Sequence, residues 1–488
     1  MGAVQALTPG GAQSSPAGVV LACDQAIFTS IRGPMGEGYR LVAASRGLRA
    51  DEKQTITRNS PSHDALCLRE ESGVKDAPAA AFYSLPTGRL CVAYSCVAGA
   101  EHTARGGQRV YTHVAVFESR DFPDCGYNPF NVLRAMVAAG LTTPQLTPPA
   151  VLPGLVLSVA NPGPGVSSAN FISRWTSAHR RYCLHALIEH HPLVIDVKDG
   201  WVESAEALLL GVPGPSRAEV SFGAGVRFSV GRGHQLQILY DDKGTVRSRL
   251  AGQSVEYIQP TSKTPPSPPS SAWLTFVDRH WTSGDLPTLA RRTSRAFEDT
   301  TRSARERMGT LFNDLDTVVQ MTMASVISLA ATRLRESSRG VEREIRDELL
   351  STAQRAVRQG ITAASWADIE PIWRPLLTLW RSSNEGTAFA HPLIEIVLRR
   401  LMIANPTQAA EAALDVVRDV PPTVDKSRHE ALLDEVLTAL LGAPAPSCDA
   451  DRARSANLCT RWRAARPASA TVARFCDRLA TRQSTTPS

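Results

Sequence analysis

The densest group of side chains able to do acid, base or thiol chemistry lies in the segment AGAEHTARGG, between two apolar stretches. It contains Glu101, His102 and Arg105, with Cys96 before them and His113 after them. A thiol beside an imidazole can act as a nucleophile, and a carboxylate or an imidazole can transfer protons. This composition raises the hypothesis of a hydrolase-like enzyme that uses Cys96, His102 and His113.

Two observations favour a structural interpretation of the same segment. Cys96 lies in an apolar strand, where cysteines usually pack as small hydrophobic groups. No Asn or Asp in the neighbouring sequence is placed to orient a catalytic histidine. We therefore predict no catalytic residue here. Glu101, His102, Arg105, Gly107 and His113 are instead predicted to shape a loop that faces a protein partner, and the hydrolase stays the alternative.

Other segments give weaker indications of a site. His185 and Glu189 are four residues apart in a predicted helix, but no third metal ligand follows at a suitable spacing. The glycine-rich segment 161–168 lacks the Gly-Lys-Ser/Thr of a phosphate-binding loop. We predict no metal and no cofactor. The arginine-rich segment 452–482 leaves open a nucleic-acid or membrane sensor that acts through basic C-terminal helices.

The elements around the polar segment are predicted to be strands. Thr87-Gly88 suits a hairpin turn, because it separates two apolar stretches. Residues 90–97 are almost entirely apolar, as in a strand buried on both faces, and residues 110–117 are β-branched and aromatic. Arg105-Gly106-Gly107 fits a loop, since glycine permits positive φ.

Length and composition indicate a globular protein of several domains. The chain has 488 residues, 43% of them hydrophobic, and a net charge of +6 that does not by itself indicate nucleic acid. The first residues lack the basic start and apolar core of a secretory signal, and no apolar run reaches the ~18 residues that span a bilayer. The nine cysteines are scattered and include no CxxC pair, which favours reduced thiols. We expect a cytoplasmic protein.

The order of the patterns predicts an α+β or α/β N-terminal region with a mixed sheet, followed by an all-α C-terminal domain. The predicted limits are a disordered tail at 1–17, a strand-and-helix domain at 18–260 and a helical bundle at 285–483. Residues 261–284 are predicted to be a linker because TSKTPPSPPSS is rich in proline and serine.

Three stretches together resemble the bacterial GTPase-associated protein 1 family, in its N-terminal and middle domains. They are AIFTSIRGPMGEGYRLVAASRGL, FYSLPTGRLCVAYSCVAGAEHTARGGQRVYTHVAVF and EALLLGVPGPSRAEVSFGAGVRFS. The residues that match the family pattern are Gly99, Arg105, Gly107, His113, Leu208, Pro213, Arg217, Ser221 and Phe222. The pair Glu101-His102 departs from that pattern.

The resemblance covers about residues 23–258 and brings no catalytic residues with it. It implies a non-enzymatic adaptor in a bacterial GTPase-centred defence or signalling (conflict) system, with a GTPase and other system proteins as partners. On this resemblance Arg217 joins the predicted partner-binding residues.

Overall fold

The computed structural model describes residues 18–33, 36–67, 78–101, 107–145, 147–160, 166–262, 267–295, 297, 299–417, 420–443 and 449–484. The predicted disordered tail at 1–17 lies outside these residues. Among the helices described, none is both long and apolar enough to cross a membrane.

The predicted mixed sheet is confirmed, and eleven of its strands lie in the described part of the chain. They are β1 Val19–Gly33, β2 Gly36–Ser45, β3 Ala79–Ser84, β4 Leu90–Ala100, β5 Gln108–Phe117, β6 Val151–Leu152, β7 Leu155–Val159, β8 Leu193–Asp196, β9 Phe222–Ala224, β10 Leu236–Leu239 and β11 Glu256–Ile258. Their order across the sheet is β11-β8-β10-β9-β3-β4-β5-β1-β2-β6, and β7 pairs with the start of β1.

The sheet has two parts of different strand direction. Strands β3, β4, β5, β1 and β2 are antiparallel neighbours and form what we call the antiparallel half. Strands β11, β8, β10 and β9 are parallel neighbours and form the parallel half. The antiparallel pairing of β3 with β9 joins the two halves into one continuous sheet.

The predicted hairpin is confirmed in the antiparallel half. β3 pairs with β4, and the intervening turn has Gly88 at φ +82°. The Leu85 amide donates to the Arg89 carbonyl at 2.8 Å, which closes the turn. Residues 90–93, 95 and 96 of β4 and residues 110–117 of β5 are buried, which agrees with the apolar runs in the sequence. Strands β4 and β5, which flank the polar segment in sequence, therefore lie inside this half, between β3 and β1.

The helices of the N-terminal part flank the sheet. They are α1 Ala50–Asn59, α2 Pro129–Ala138, α3 Val166–Ser173, α4 Ser177–Ile188, α5 Trp201–Gly211, α6 Thr245–Leu250, α7 Ala272–Ser283 and α8 Leu286–Thr293. Helix α5 follows β8, and α6 follows β10, as crossover connections between parallel strands require.

The predicted helical C-terminal region is also confirmed. Its helices are α9 Arg302–Thr317, α10 Met323–Arg335, α11 Gly340–Ala363, α12 Trp366–Ser382, α13 Asn384–Ala404, α14 Pro406–Val417, α15 Lys426–Gly442, α16 Asp449–Ala465 and α17 Ala470–Ser484. Successive helices from α12 to α15 pack on one another, and α11 packs on α10 and α13, so that one apolar face of each is buried.

The chain divides into two compact units, Met1–Thr310 and Leu311–Ser488. The sequence-based domain limits, with a linker at 261–284, stay a prediction. Within that range, residues 272–283 form α7. Ser271 caps this helix, and the Trp273 and Trp281 indoles donate to the carbonyls of Gly211 and Ala207 in α5. Ser271, from the serine-rich stretch, is thus the N-cap of α7. The two buried tryptophans attach α7 to α5.

The cysteines differ in part from the prediction of reduced thiols. Six of them are free and buried in the part of the chain that the structure describes, all in the first unit. Cys459 of α16 and Cys476 of α17 form a disulfide. Scattered spacing does not reveal such a pair, because two antiparallel helices bring distant positions together.

Candidate functional site

Glu101 lies at the end of β4, where the structure ties it to neighbouring strands. Its Oε1 accepts a hydrogen bond of 2.7 Å from the Ser30 hydroxyl, and its amide donates to the Gly107 carbonyl at 3.1 Å. Burial raises the pKa of the nearby Tyr39 phenol, and the Glu101 carboxylate raises it further. Glu101 therefore has an internal role in holding the strand ends together.

Gly107 must be glycine at this position. Its φ is +86°, and a Cβ added here would lie 2.5 Å from the Asp64 carboxylate and 2.7 Å from His63. The next amide, of Gln108, donates to Asp64 Oδ1 at 3.0 Å. Close approach of the backbone to Asp64 accounts for the glycine. His102 and Arg105 lie outside the described residues.

His113 lies inside the sheet and is only 1% exposed. A proton on its Nε2 can be donated to Gln25 Oε1 at 2.9 Å, and its Nδ1 lies 3.3 Å from the Tyr111 hydroxyl. Burial lowers the pKa of His113 to about 4, so the ring is neutral at pH 7. This histidine completes an internal hydrogen-bond network.

Cys96 is buried too, in a cluster with Ile27, Tyr111 and Leu152. Its thiol lies 3.7 Å from the Thr142 carbonyl. A nucleophile and its base must reach the substrate, and neither Cys96 nor His113 is exposed. The described part of the hypothetical hydrolase site therefore gives that alternative no support.

Arg217 lies far along the chain from these residues and is completely buried. Its guanidinium donates to the carbonyls of Val212 and Leu210 at 2.9 and 3.0 Å, and to the Thr293 hydroxyl. Burial lowers its pKa to about 9. The side chain fixes the end of α5 from inside. Partner contact by Arg217 or His113 stays an untested prediction, and our proposal below does not use it.

A cleft that the sequence analysis did not identify lies at the carboxyl ends of the parallel strands. Its volume is ≈ 520 Å³. It is lined by residues that follow β8, β10 and β11, together with residues of α3 and α5. These are Phe171, Arg174, Trp175, Asp196, Val197, Lys198, Asp199, Ser204, Tyr240, Asp241, Asp242, Gln259 and Thr261.

Two of the carboxylates in this cleft are held in fixed positions. Asp196 Oδ2 accepts from the Tyr257 hydroxyl at 2.9 Å and from the Gln259 amide at 2.8 Å. Asp241 Oδ2 accepts from the amides of Val246 and Arg247 at the start of α6. Burial raises the pKa of Tyr257, and its hydrogen bond to Asp196 raises it further, so the phenol keeps its proton for donation.

The sequence did carry a signal for this cleft. The segments PLVIDV and ILYDD each place aspartate at or just after the end of an apolar strand. These segments alone show neither that the two strands are parallel nor that they are neighbours. Ligands of parallel α/β sheets bind outside the carboxyl ends of the strands, so the direction was the missing information.

Two further candidates from the sequence are the His185–Glu189 pair and the basic C-terminal helices. Glu189 pairs with Arg305 at 2.8 Å, and among the described residues no group of three His, Cys, Asp or Glu side chains is placed to hold a metal. Several arginines of the basic C-terminal helices have acidic partners within their own unit. Arg454 pairs with Glu411, and Arg466 lies 3.0 Å from Asp434.

Comparison with known proteins gives one match. No curated protein and no solved structure matches the chain significantly. One family model matches residues 22–154. The first two of the three stretches that resemble the family lie within these residues, and the third stretch, which contains Arg217, does not. The match covers β1 to β6, which is the antiparallel half and its edge strand. Residues 22–154 match the family described as GTPase-associated protein 1, N-terminal domain type 2.

Proposed function

We propose that the chain is a non-enzymatic adaptor that acts in the bacterial cytoplasm. It binds a partner GTPase and other proteins of a GTPase-centred defence or signalling system. The observation that carries this proposal is the family match at residues 22–154, whose description names association with a GTPase. The internal use of Glu101, Cys96 and His113 supports an adaptor more than a hydrolase.

An apolar surface beside the matched segment supports contact with a protein. β1 and β7 form a two-stranded ribbon in which Leu21 pairs with Leu157, and both are 1% exposed. The alternate positions face outward, where Val20 is 71% exposed and Val156 is 67% exposed. Exposed valines on neighbouring strands suit a partner that buries them. We assign this outward valine face to the GTPase contact.

Affinity purification of the tagged full chain from its native host tests the proposal. We expect mass spectrometry to recover a GTPase with the wild-type chain. The double variant Val20→Lys/Val156→Lys should reduce that recovery about tenfold, because two charges would be forced into an apolar contact.

A matched control is Val230→Lys in the same unit but outside the matched segment, since Val230 is 76% exposed. It should leave recovery unchanged. Failure to recover any GTPase from the native host would contradict the adaptor proposal. Equal recovery of the GTPase with the double variant and with the wild-type chain would show that the GTPase contact does not involve the valine face.

A further inference from the structure

The cleft at the carboxyl ends of β8 and β10 lies where the sheet topology opens a crevice. In the order β11-β8-β10-β9, the connection from β8 through α5 leads to β9 on one side. The connection from β10 through α6 leads to β11 on the other side. The two connections therefore run in opposite directions across the sheet, each passing the strand from which the other starts, and right-handed crossovers in opposite directions lie on opposite faces of the sheet. Adjacent parallel strands whose following loops leave to opposite faces form a topological switch point, which is the usual ligand position in open α/β sheets.

A buried hydroxyl in the wall of the cleft lacks a partner. Ser204, in the first turns of α5, is 1% exposed, and its Oγ makes no hydrogen bond within the described residues. Buried hydroxyl groups are normally hydrogen-bonded, because an unpaired one costs about 1–3 kcal/mol. Since Ser204 lines the cleft, a polar atom of a bound ligand would supply the missing partner.

The charges of the cleft restrict the ligand. Four carboxylates line it, against the two cations Arg174 and Lys198, which gives a formal charge of −2. Arg174 is partly neutralised by Asp199 at 3.6 Å and lies over the Phe171 ring. A triphosphate would be repelled by this excess of carboxylates, whereas hydroxyl and amino groups would find hydrogen-bond acceptors.

The aromatic lining of the cleft indicates a ligand that contains a flat ring. Phe171, Trp175 and Tyr240 line it together, and aromatic walls favour stacking of a planar group. The loop between β8 and α5 is held against this wall. Gly200 there has φ +66°, and a Cβ at this position would overlap the Phe171 ring. The volume of ≈ 520 Å³ lies within the range of small-molecule sites.

We propose that this cleft binds a nucleoside-like ligand, meaning a planar heterocycle with hydroxyl groups and no phosphate. The ring stacks on the aromatic wall, the hydroxyl groups donate to Asp196 and Asp242, and Ser204 Oγ bonds a polar atom of the ligand. This proposal is independent of the adaptor function, because its residues lie outside the matched segment.

Calorimetric titration of the full chain with adenosine, guanosine, cytidine and uridine tests this proposal. ATP and GTP are titrated in the same magnesium-free buffer. We expect at least one nucleoside to bind with a Kd below about 1 mM. Its triphosphate should bind at least tenfold more weakly, because of the carboxylates.

Two variants locate the binding. Ser204→Ala should weaken nucleoside binding about tenfold, while Ser173→Ala on α3, an exposed serine outside the lining, should not. Asp242→Lys should reduce the ratio of nucleoside affinity to triphosphate affinity about tenfold. Circular dichroism establishes that each variant is folded.

Three outcomes would overturn the proposal. They are no binding of any nucleoside to the folded wild-type chain, tighter binding of the triphosphate, and nucleoside binding that neither Ser204→Ala nor Asp242→Lys changes.

Discussion

The two halves of the sheet use their polar residues in opposite ways. In the antiparallel half, many polar groups are buried and paired with one another, as in the bond of 2.8 Å between Ser95 and Thr112, although the Tyr83 hydroxyl has no nitrogen or oxygen partner among the described residues. In the parallel half, aspartates gather at the open strand ends, beside a serine hydroxyl that also has no hydrogen-bond partner among the described residues. The polar residues of the antiparallel half suggest an active site when only the sequence is known, but in the structure they stabilise the fold. The parallel half instead provides an accessible cleft.

Strand direction explains the difference. Antiparallel strands joined by hairpins send neighbouring ends to opposite edges, so polar residues meet across the ladder and satisfy each other. Parallel strands bring all their carboxyl ends to one edge, where the following loops diverge and leave space. Three experiments test the comparison, in order of expected effect.

The largest effect is expected from Arg89→Met in the antiparallel half. Arg89 lies 2.6 Å from Asp24 and 3.5 Å from Glu52, which is completely buried. The variant would leave these carboxylates without their cation, so we expect a loss of about 4 kcal/mol in local stability. Hydrogen exchange of peptides from β1 to β5 measures it. Arg32→Met, which breaks an exposed pair with Glu37, should cost under about 1 kcal/mol. Equal effects of the two variants would contradict a structural role for the buried network.

An intermediate effect is expected from acid. The pKa of His113 is lowered by burial to about 4, against an ordinary value of 6.5. Between these values the unfolded chain binds a proton that the native histidine does not, so stability falls as pH drops from 6.5 towards 4 and levels off below it. The loss should approach about 3 kcal/mol. Melting temperatures from pH 7 to pH 4 measure it.

His113→Gln provides the control for this pH dependence and should remove the contribution of His113. His234, whose pKa is also lowered by burial to about 4, would leave a second contribution in place. An unchanged slope in His113→Gln would show that His113 is not the residue responsible.

The smallest effect gives the most direct comparison of the halves. Thr112→Val removes a buried hydroxyl that is bonded to Ser95, and we expect a cost of about 1 kcal/mol. Ser204→Ala removes a buried hydroxyl without a partner, so the stability of the unliganded chain should stay the same or rise. Thermal denaturation of both variants measures this. A comparable loss in both would mean that the Ser204 hydroxyl is already satisfied within the protein.

Local patterns in the sequence predicted the antiparallel half well. The hairpin at Thr87-Gly88 and the apolar strands around it follow from turn chemistry and side-chain composition. The helical periodicity after residue 285 likewise predicted the helices of the C-terminal region. These features depend on neighbours in sequence, which a single chain displays directly.

Features that depend on distant neighbours were not predicted. Burial of Arg217 results from carbonyl groups that only the folded end of α5 presents. The packing of α7 depends on two tryptophans reaching carbonyls of α5. The cleft requires β8 and β10 to be parallel neighbours, and short apolar segments do not specify their partners or direction.

The pairing of β3 with β9 has a consequence for dividing the protein. A fragment containing only residues 22–154 would lose the partner that covers Ala80–Phe82 and would present a free row of amide and carbonyl groups. It would also lose the ring of Phe222, which stacks on Phe130 at 5.1 Å. An exposed strand edge of this kind promotes aggregation with other copies of the fragment. The matched segment thus contains only part of one continuous sheet, and we expect it to be stable only when it is produced together with the strands up to β11.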